Sequence, residues 1–273
     1  MEAWRRFLRH RLALVSLAFL GVVVLVAIFA HQITGESTTA MINVPLSDPS
    51  RAHLMGTDSL GRDLWARVAE GARISLIVGV GSQAIALVLG LVIGGIAGFA
   101  GGLADSLLMR LTDVMLALPS LLFAMLFLTV FGTSIPIVAT AIGFATWPVI
   151  ARLERAQILQ VKELEFVQAA YSVGCSDLRV LRSHIFPNTL APVIVQVTFG
   201  ISQAIFMEAF LAFLGLGAQP PTPSWGRLLT EGFSYVQVDS NLVLFPTIAI
   251  VLTLLAVNFV GDGLRDALDP NNT

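Results

Sequence analysis

Six apolar runs, most of them close to the span of a bilayer, constrain this chain more than any other feature. They are Leu12–Ala30, Ile74–Ala100, Val114–Val130, Ser134–Ile150, Thr189–Leu214 and Leu242–Val260. A helix needs about 20 mainly apolar residues to cross the hydrocarbon layer. The expected fold is therefore an all-α integral membrane protein with six transmembrane helices. Composition agrees: 56% of the 273 residues are hydrophobic and 12% are charged, whereas soluble domains carry roughly 25% charged residues. The third and fourth runs are short, with only Phe131, Gly132 and Thr133 between them, so a tight helical hairpin is expected. Gly79, Gly81, Gly90, Gly94, Gly95 and Gly98 dot the second run. Small residues at such spacing let membrane helices approach closely, and that is the role expected of them.

The first run follows Arg5, Arg6, Arg9 and Arg11, an arrangement shared with export signals. A secretory apolar core is about 7–15 residues long and ends in a small-residue cleavage site. This run is longer and lacks such a site, so a retained anchor is expected. Lysine and arginine favour cytoplasmic loops. With the N-terminus inside, eleven of the sixteen basic residues fall on the cytoplasmic side and five (Arg51, Arg62, Arg67, Arg73, Arg227) fall outside. Both termini and the segment after the fourth run are thus expected in the cytoplasm. Of the two outer loops, the first ends in Leu64, Trp65, Val68 and Ala69, read as an interfacial helix leading into the second span. The second packs prolines ahead of Trp225 and is read as an ordered turn with an interfacial anchor.

Several chemistries are absent. The single lysine, Lys162, follows no glycine-rich loop, so no phosphate-cradling G-x-x-x-x-G-K-[ST] site exists. His10, His31, His53 and His184 are scattered, without metal-ligand spacing. No G-x-S-x-G nucleophile elbow occurs. The lone Cys175 excludes an internal disulfide framework. The chain is not expected to be an enzyme or to bind a cofactor or metal itself. Only Glu208 stands well inside an apolar run, near Ser202 and Gln203. Intramembrane carboxyls are costly and often functional. Glu208 is either a residue of a polar pathway or subunit contact, or a structural carboxyl satisfied by a neighbour.

The polar stretch EFVQAAYSVGCSDLRVLRSHIFPN, Glu165 to Asn188, stands out against this background. Phe166, Val167, Ala170 and Val173 share a face at helical spacing. Gly174 supplies a stop, because glycine accepts a left-handed backbone cheaply. Ser176 or Asp177 can cap a second short helix, with Leu178, Leu181 and Ile185 as its apolar stripe and Pro187 limiting its extension. Helices this short need something to lie against. The polar face mixes Glu154, Glu163, Glu165 and Asp177 with basic residues, which fits a groove on a partner protein better than a lipid surface.

The stretch resembles the cytoplasmic signature of the integral permeases of bacterial ATP-binding-cassette importers. That signature is E-A-A, three residues, glycine, nine residues, then I-x-L-P. Here Gln168-Ala169-Ala170, Gly174 and His184-Ile185-Phe186-Pro187 keep its spacing, with Gln168, His184 and Phe186 departing from its residue types. The ending His184–Asn188 is similar to the H-I-L-P-N of the dipeptide, oligopeptide and nickel branch. Gly56–Leu76, with its G-T-D-x-x-G-R-D pattern, and Glu208–Gly217 followed by Pro223–Gly226 resemble the second, C-type permease of that branch, and the likeness extends to about Pro270. The resemblance implies a type I importer permease fold: residues 1–73 as N-terminal tail, first helix and outer segment, and 74–273 as a five-helix core carrying a coupling loop over 152–188. It implies a bacterial inner-membrane location. The implied partners are a second permease, two cytoplasmic ATPases that hold the ATP and Mg, and an external substrate-binding protein. No nucleic acid is expected among the partners. Residues implied at the ATPase contact are Glu165, Gln168, Ala169, Ala170, Gly174, Asp177, Arg179, His184 and Pro187. The alanines keep the helix slim, Gly174 permits the turn, and Asp177 and Arg179 make polar contacts. Other cargoes such as nickel complexes, and other classes such as a secondary transporter or a membrane assembly factor, are the alternatives. A secondary transporter should show paired intramembrane carboxylates or inverted repeats.

Overall fold

The computed structural model describes residues 6–8, 10–35, 38–41 and 44–268; Arg5, Arg9 and Pro270 lie outside these. Long helices dominate. α1 (Arg11–Ile28) is followed by the short α2 (Ala30–Thr34), then by α3 (Leu64–Ala100), α4 (Gly102–Ala117), α5 (Ser120–Phe131) and α6 (Ile135–Lys162). Next come α7 (Glu165–Ser172) and α8 (Asp177–Val180), a π turn over Leu181–Ile185, then α9 (Phe186–Phe213), α10 (Trp225–Phe233) and α11 (Asn241–Leu268). Among the described residues, five helices are long and apolar enough to cross a membrane, and six spans result if α4 and α5 are one broken span. His10 lies 3.8 Å from Asp266, so the two ends of the described chain meet at the end of the bundle that carries the α7–α8 loop.

The glycines of α3 explain why it packs along α6. A Cβ on Gly90 would strike Ile150, one on Gly94 the Ala151 carbonyl, and one on Gly98 the Ile158 side chain. These three sit four residues apart on one helical face, and they let the two backbones close to the distance that small residues permit. Gly79 serves α9 in the same way, against Ile205. Gly95 is different: nothing approaches its missing Cβ, and Gly81 meets only Ala139 at ordinary contact distance. Gly143 of α6, pressed on Ser82 and Ile85 of α3, returns the contact from the other side.

Four expectations are corrected. The interfacial helix and the second span are one helix, with Asp63 capping it through the Ala66 N–H at 2.7 Å. Leu64, Val68 and Ala69 point into the core and not toward a membrane surface. The third span is not a straight helix. It breaks at Leu118–Pro119 with a bend of 89°, because proline lacks an N–H and pushes its predecessor out of helical backbone; Leu118 has ψ 128. Trp225 is a buried residue and no interfacial anchor: its indole N–H donates to the Val68 carbonyl at 3.0 Å, and Gly71 makes room for its ring. Finally, the helix starting at Asp177 does not stop at Pro187. The π turn carries it into α9, the Phe186 N–H reaching back to the Leu181 carbonyl. This wider turn shifts the register where Pro187 has no N–H to offer.

Candidate functional site

The loop between α6 and α9 is built on a small core of its own. Ile158 and Val161 of α6, Val167 and Ala170 of α7, Val180 of α8 and Ile185 of the π turn are buried together, with Phe99, Cys175 and Leu181 against them. α6 overruns its apolar stretch by twelve residues, to Lys162, and so lifts this core beyond the bundle's end. Lys162 fastens it: Nζ donates to the Phe99 carbonyl at 2.9 Å, at the last turn of α3, and lies 5.4 Å from the Phe99 ring centre. A cation on those carbonyls is favoured by the helix dipole as well. Arg155 grips Asp105 at the start of α4 with both a guanidinium Nε and an Nη. This bidentate geometry makes the pair stiffer than an ordinary surface pair.

Gly174 ends α7 in the left-handed region, at φ +84. The Gly174 N–H donates to Tyr171 O at 2.9 Å and the Cys175 N–H to Ala170 O at 3.1 Å, so the last carbonyls of the helix are satisfied as a glycine stop requires. Ser176 occupies the N-cap position of α8, but its hydroxyl makes no capping bond. Gln168 is exposed, and its Nε2 donates to the Lys162 carbonyl at 3.0 Å. A carboxylate there has no hydrogen to offer, so the departure from glutamate creates an internal clasp. Tyr171 stands beside Asp177; burial first, then that neighbouring carboxylate, raise its phenol above the ordinary value.

The expected apolar faces divide in two. Val167 and Ala170 turn inward, whereas Phe166 and Val173 are exposed; in the second helix Ile185 is buried, Leu181 half-buried, and Leu178 is 73% exposed. Glu165, Ala169, Asp177, Arg179 and Pro187 are also exposed, and His184 is half-buried. Ala170 therefore belongs to the loop's own core, and Ala169 alone of the two alanines faces outward. Phe166, Val173 and Leu178 give the tip large apolar groups that nothing among the described residues covers.

Glu208 is tied to its neighbours within the chain. It is buried beneath the N-terminus of α10, where Ser75 Oγ donates to Oε2 at 3.0 Å and the Ser224 hydroxyl adjoins the carboxyl. Ser75 Oγ in turn accepts the Trp225 N–H at 3.3 Å, so one carboxyl ties α3, α9 and α10 together. A second buried carboxyl, Glu154, is not where the sequence pattern put it, on the mixed polar face of the loop. Thr189 Oγ1 donates to its Oε1 at 2.9 Å, joining α6 to α9. Its register was the available signal: Ile150, Glu154 and Ile158, at steps of four, all lie on the buried face of α6. At the same end as Glu208, Asp58, Arg62, Arg67, Arg227 and Glu231 form a linked ion cluster, with Arg67 Nη1 2.6 Å from Asp58 and 2.7 Å from Glu231. Burial raises the Glu231 carboxyl, but Arg67, followed by Arg227 and Arg62, outweighs it and holds the group below its ordinary value. Among the described residues no cluster of His, Cys, Asp or Glu could hold a metal ion.

Comparison with known proteins agrees along nearly the whole chain. Residues 90–273 match the family described as "Binding-protein-dependent transport system inner membrane component", and residues 1–49 match the "N-terminal TM domain of oligopeptide transport permease C". A dipeptide transport system permease protein of Alkalihalophilus pseudofirmus is 42% identical over 98% of this chain and 89% of its own length. A glutathione transport system permease protein of Pectobacterium atrosepticum is 38% identical over 98% of this chain and 90% of its own length. An oligopeptide transport system permease protein of Haemophilus influenzae is 40% identical over 99% and 88%. The membrane subunit fold of the MetNI methionine ABC transporter superposes with a TM-score of 0.61 at 15% identity, covering 76% of this chain and 97% of that one. The broken third span and the loop on its extended helix thus belong to a type I importer bundle. The chain is a multi-pass membrane protein of the binding-protein-dependent transport system inner membrane component family, the integral permeases of bacterial ABC importers.

Proposed function

We propose that this chain is one of two permease subunits of an ATP-driven importer of short peptides, and that the α7–α8 loop seats on a cytoplasmic ATPase. The observation that carries this is the loop itself. Its underside is fixed by a buried core, Lys162 and Arg155, while Phe166, Val173 and Leu178 stand uncovered at its tip. A rigid mount with an apolar tip fits a groove on another protein. The peptide cargo rests on relatives named for dipeptides, oligopeptides and glutathione. The loop and both termini then face the cytoplasm, ATP and Mg are held by two partner ATPases, and an external protein delivers the peptide. Residues 1–73 serve as the N-terminal attachment and 74–273 as the working core, although α3 runs unbroken across that boundary.

The mechanism follows from rigidity. ATP binding draws the ATPases together and moves each seated loop. α6 enters the loop and α8 leaves it, through the π turn, as the start of α9. Displacing the loop therefore tilts two spans at once. The bundle is a two-state element biased by a ligand bound on another chain. Gly174→Asp tests this. No atom lies near the Cβ it would add, so the loop should still form, with only the roughly 1–2 kcal/mol strain of a left-handed residue. Insertion should be normal and ATP-driven uptake lost; normal uptake at full expression would remove the coupling role.

A further inference from the structure

Beside the break between α4 and α5 lies a cavity of about 230 Å³, bounded also by α3, α6 and α9. Its polar groups are all neutral: the amides of Gln83, Gln196 and Gln203 and the hydroxyls of Thr146 and Ser120. Gln83 is 2% exposed, and its Nε2 donates to Thr146 Oγ1 only across a long 3.4 Å. Its place depends on Gly200, since a Cβ there would collide with the Gln83 amide. A poorly satisfied amide within a membrane-spanning bundle is costly. Irregular backbone at membrane depth is tolerated only inside protein or along a wet cavity, and the Leu118–Pro119 break forms part of this wall. Gln196 also borders a second cavity of about 760 Å³ toward the loop end, which Asn188, Gln157 and Arg265 line. The two spaces follow one another along α9.

We propose that the smaller cavity is a resting site for a peptide main chain in transit, with Gln83, Gln196 and Gln203 pairing to its backbone. This rests on the peptide-import function above. A carboxamide both donates and accepts, as a peptide group does, so three of them match a main chain in either direction. No charged side chain lines the cavity, and it therefore prefers neither sign of side-chain charge over the other. Sites that read a carboxylate, a phosphate or a metal need charged groups or ligands that this one lacks. The larger cavity, with Arg265 at its edge, is the route onward.

The test uses the complete transporter with its native partner subunits, reconstituted in proteoliposomes, with alanine di-, tri- and pentapeptides as probes. The readout is peptide imported per ATP hydrolysed by each recovered complex. Gln203→Leu, at an exposed position on the cavity wall, and Gln196→Leu should each lower it about five- to tenfold, the worth of roughly one hydrogen bond. Gln203→Asn should restore part of the loss. Wild-type ratios in both leucine variants would overturn the inference while leaving peptide import intact. So would a fall only in the amount of complex recovered, which marks a packing role. Import of none of the peptides by the wild-type complex would instead remove the peptide-import function, and the inference with it.

Discussion

Glycine decides much at the scale of single residues, and for two separate reasons. Gly94 is needed for space and Gly174 for backbone freedom. Gly94→Val would drive a branched side chain into the Ala151 backbone, which cannot yield as a flexible side chain can; overpacking of this kind costs about 1–3 kcal/mol or more. Gly95→Ala, one position on, meets nothing and gains about 0.8–1 kcal/mol of helix propensity. Thermal unfolding in detergent should therefore fall for the first and hold or rise for the second, and equal shifts would refute the assigned packing faces. Gln168→Glu removes the donor to the Lys162 carbonyl. Amide exchange over residues 165–172 should quicken while the bundle's is unchanged; unaltered exchange would show that the clasp contributes nothing. The glycine spacing was legible in the sequence, but which glycines touch a neighbour was not. That depends on the rotation of α3 against α6, which a uniformly apolar helix does not reveal.

At the scale of elements, the sequence disclosed the apolar runs and the polar loop but misjudged where helices end. Apolar length marks the hydrocarbon layer, whereas a helix continues as long as its backbone is satisfied. α3 thus starts ten residues early and α6 ends twelve residues late. α10 was hidden behind prolines and reads as a loop until Trp225 is seen buried against Val68 and Gly71. The loop's spacing and its glycine stop were legible. The inward and outward division of its apolar groups was not, because Val167 and Phe166 are chemically alike and only the small core beneath tells them apart. That division supports a prediction. Phe166→Asp combined with Leu178→Asp touches only exposed side chains, so the chain should insert and resist heat as before, yet lose its ATPases on purification. Retention of the ATPases at wild-type level would place the docking surface elsewhere.

On the scale of the whole molecule, two buried carboxyls and one ion cluster hold the bundle's halves. Glu154 joins α6 to α9 near the loop, and Glu208 joins α3, α9 and α10 at the far end. The ion cluster pins the segment before α3 onto α10. Its pH dependence has a definite sign. Glu231 titrates below its ordinary value when folded, so its contribution is complete above that value and disappears as pH falls through the folded one. Acidification through the carboxylate range should open the Val44–Arg62 segment to protease before the spans unfold. Protection that persisted, or that failed first on raising the pH, would contradict this.

If the loop couples the bundle to ATPases on other chains, as proposed, those chains should purify with it. The chain is purified in mild detergent from its native membrane, the proteins recovered with it are identified, and ATP hydrolysis is assayed. Recovery of a second permease together with ATP-hydrolysing subunits, the ATPases alone being lost with the Phe166→Asp, Leu178→Asp variant, is the expected result. A chain that emerged alone, stable and without ATPase activity would contradict it.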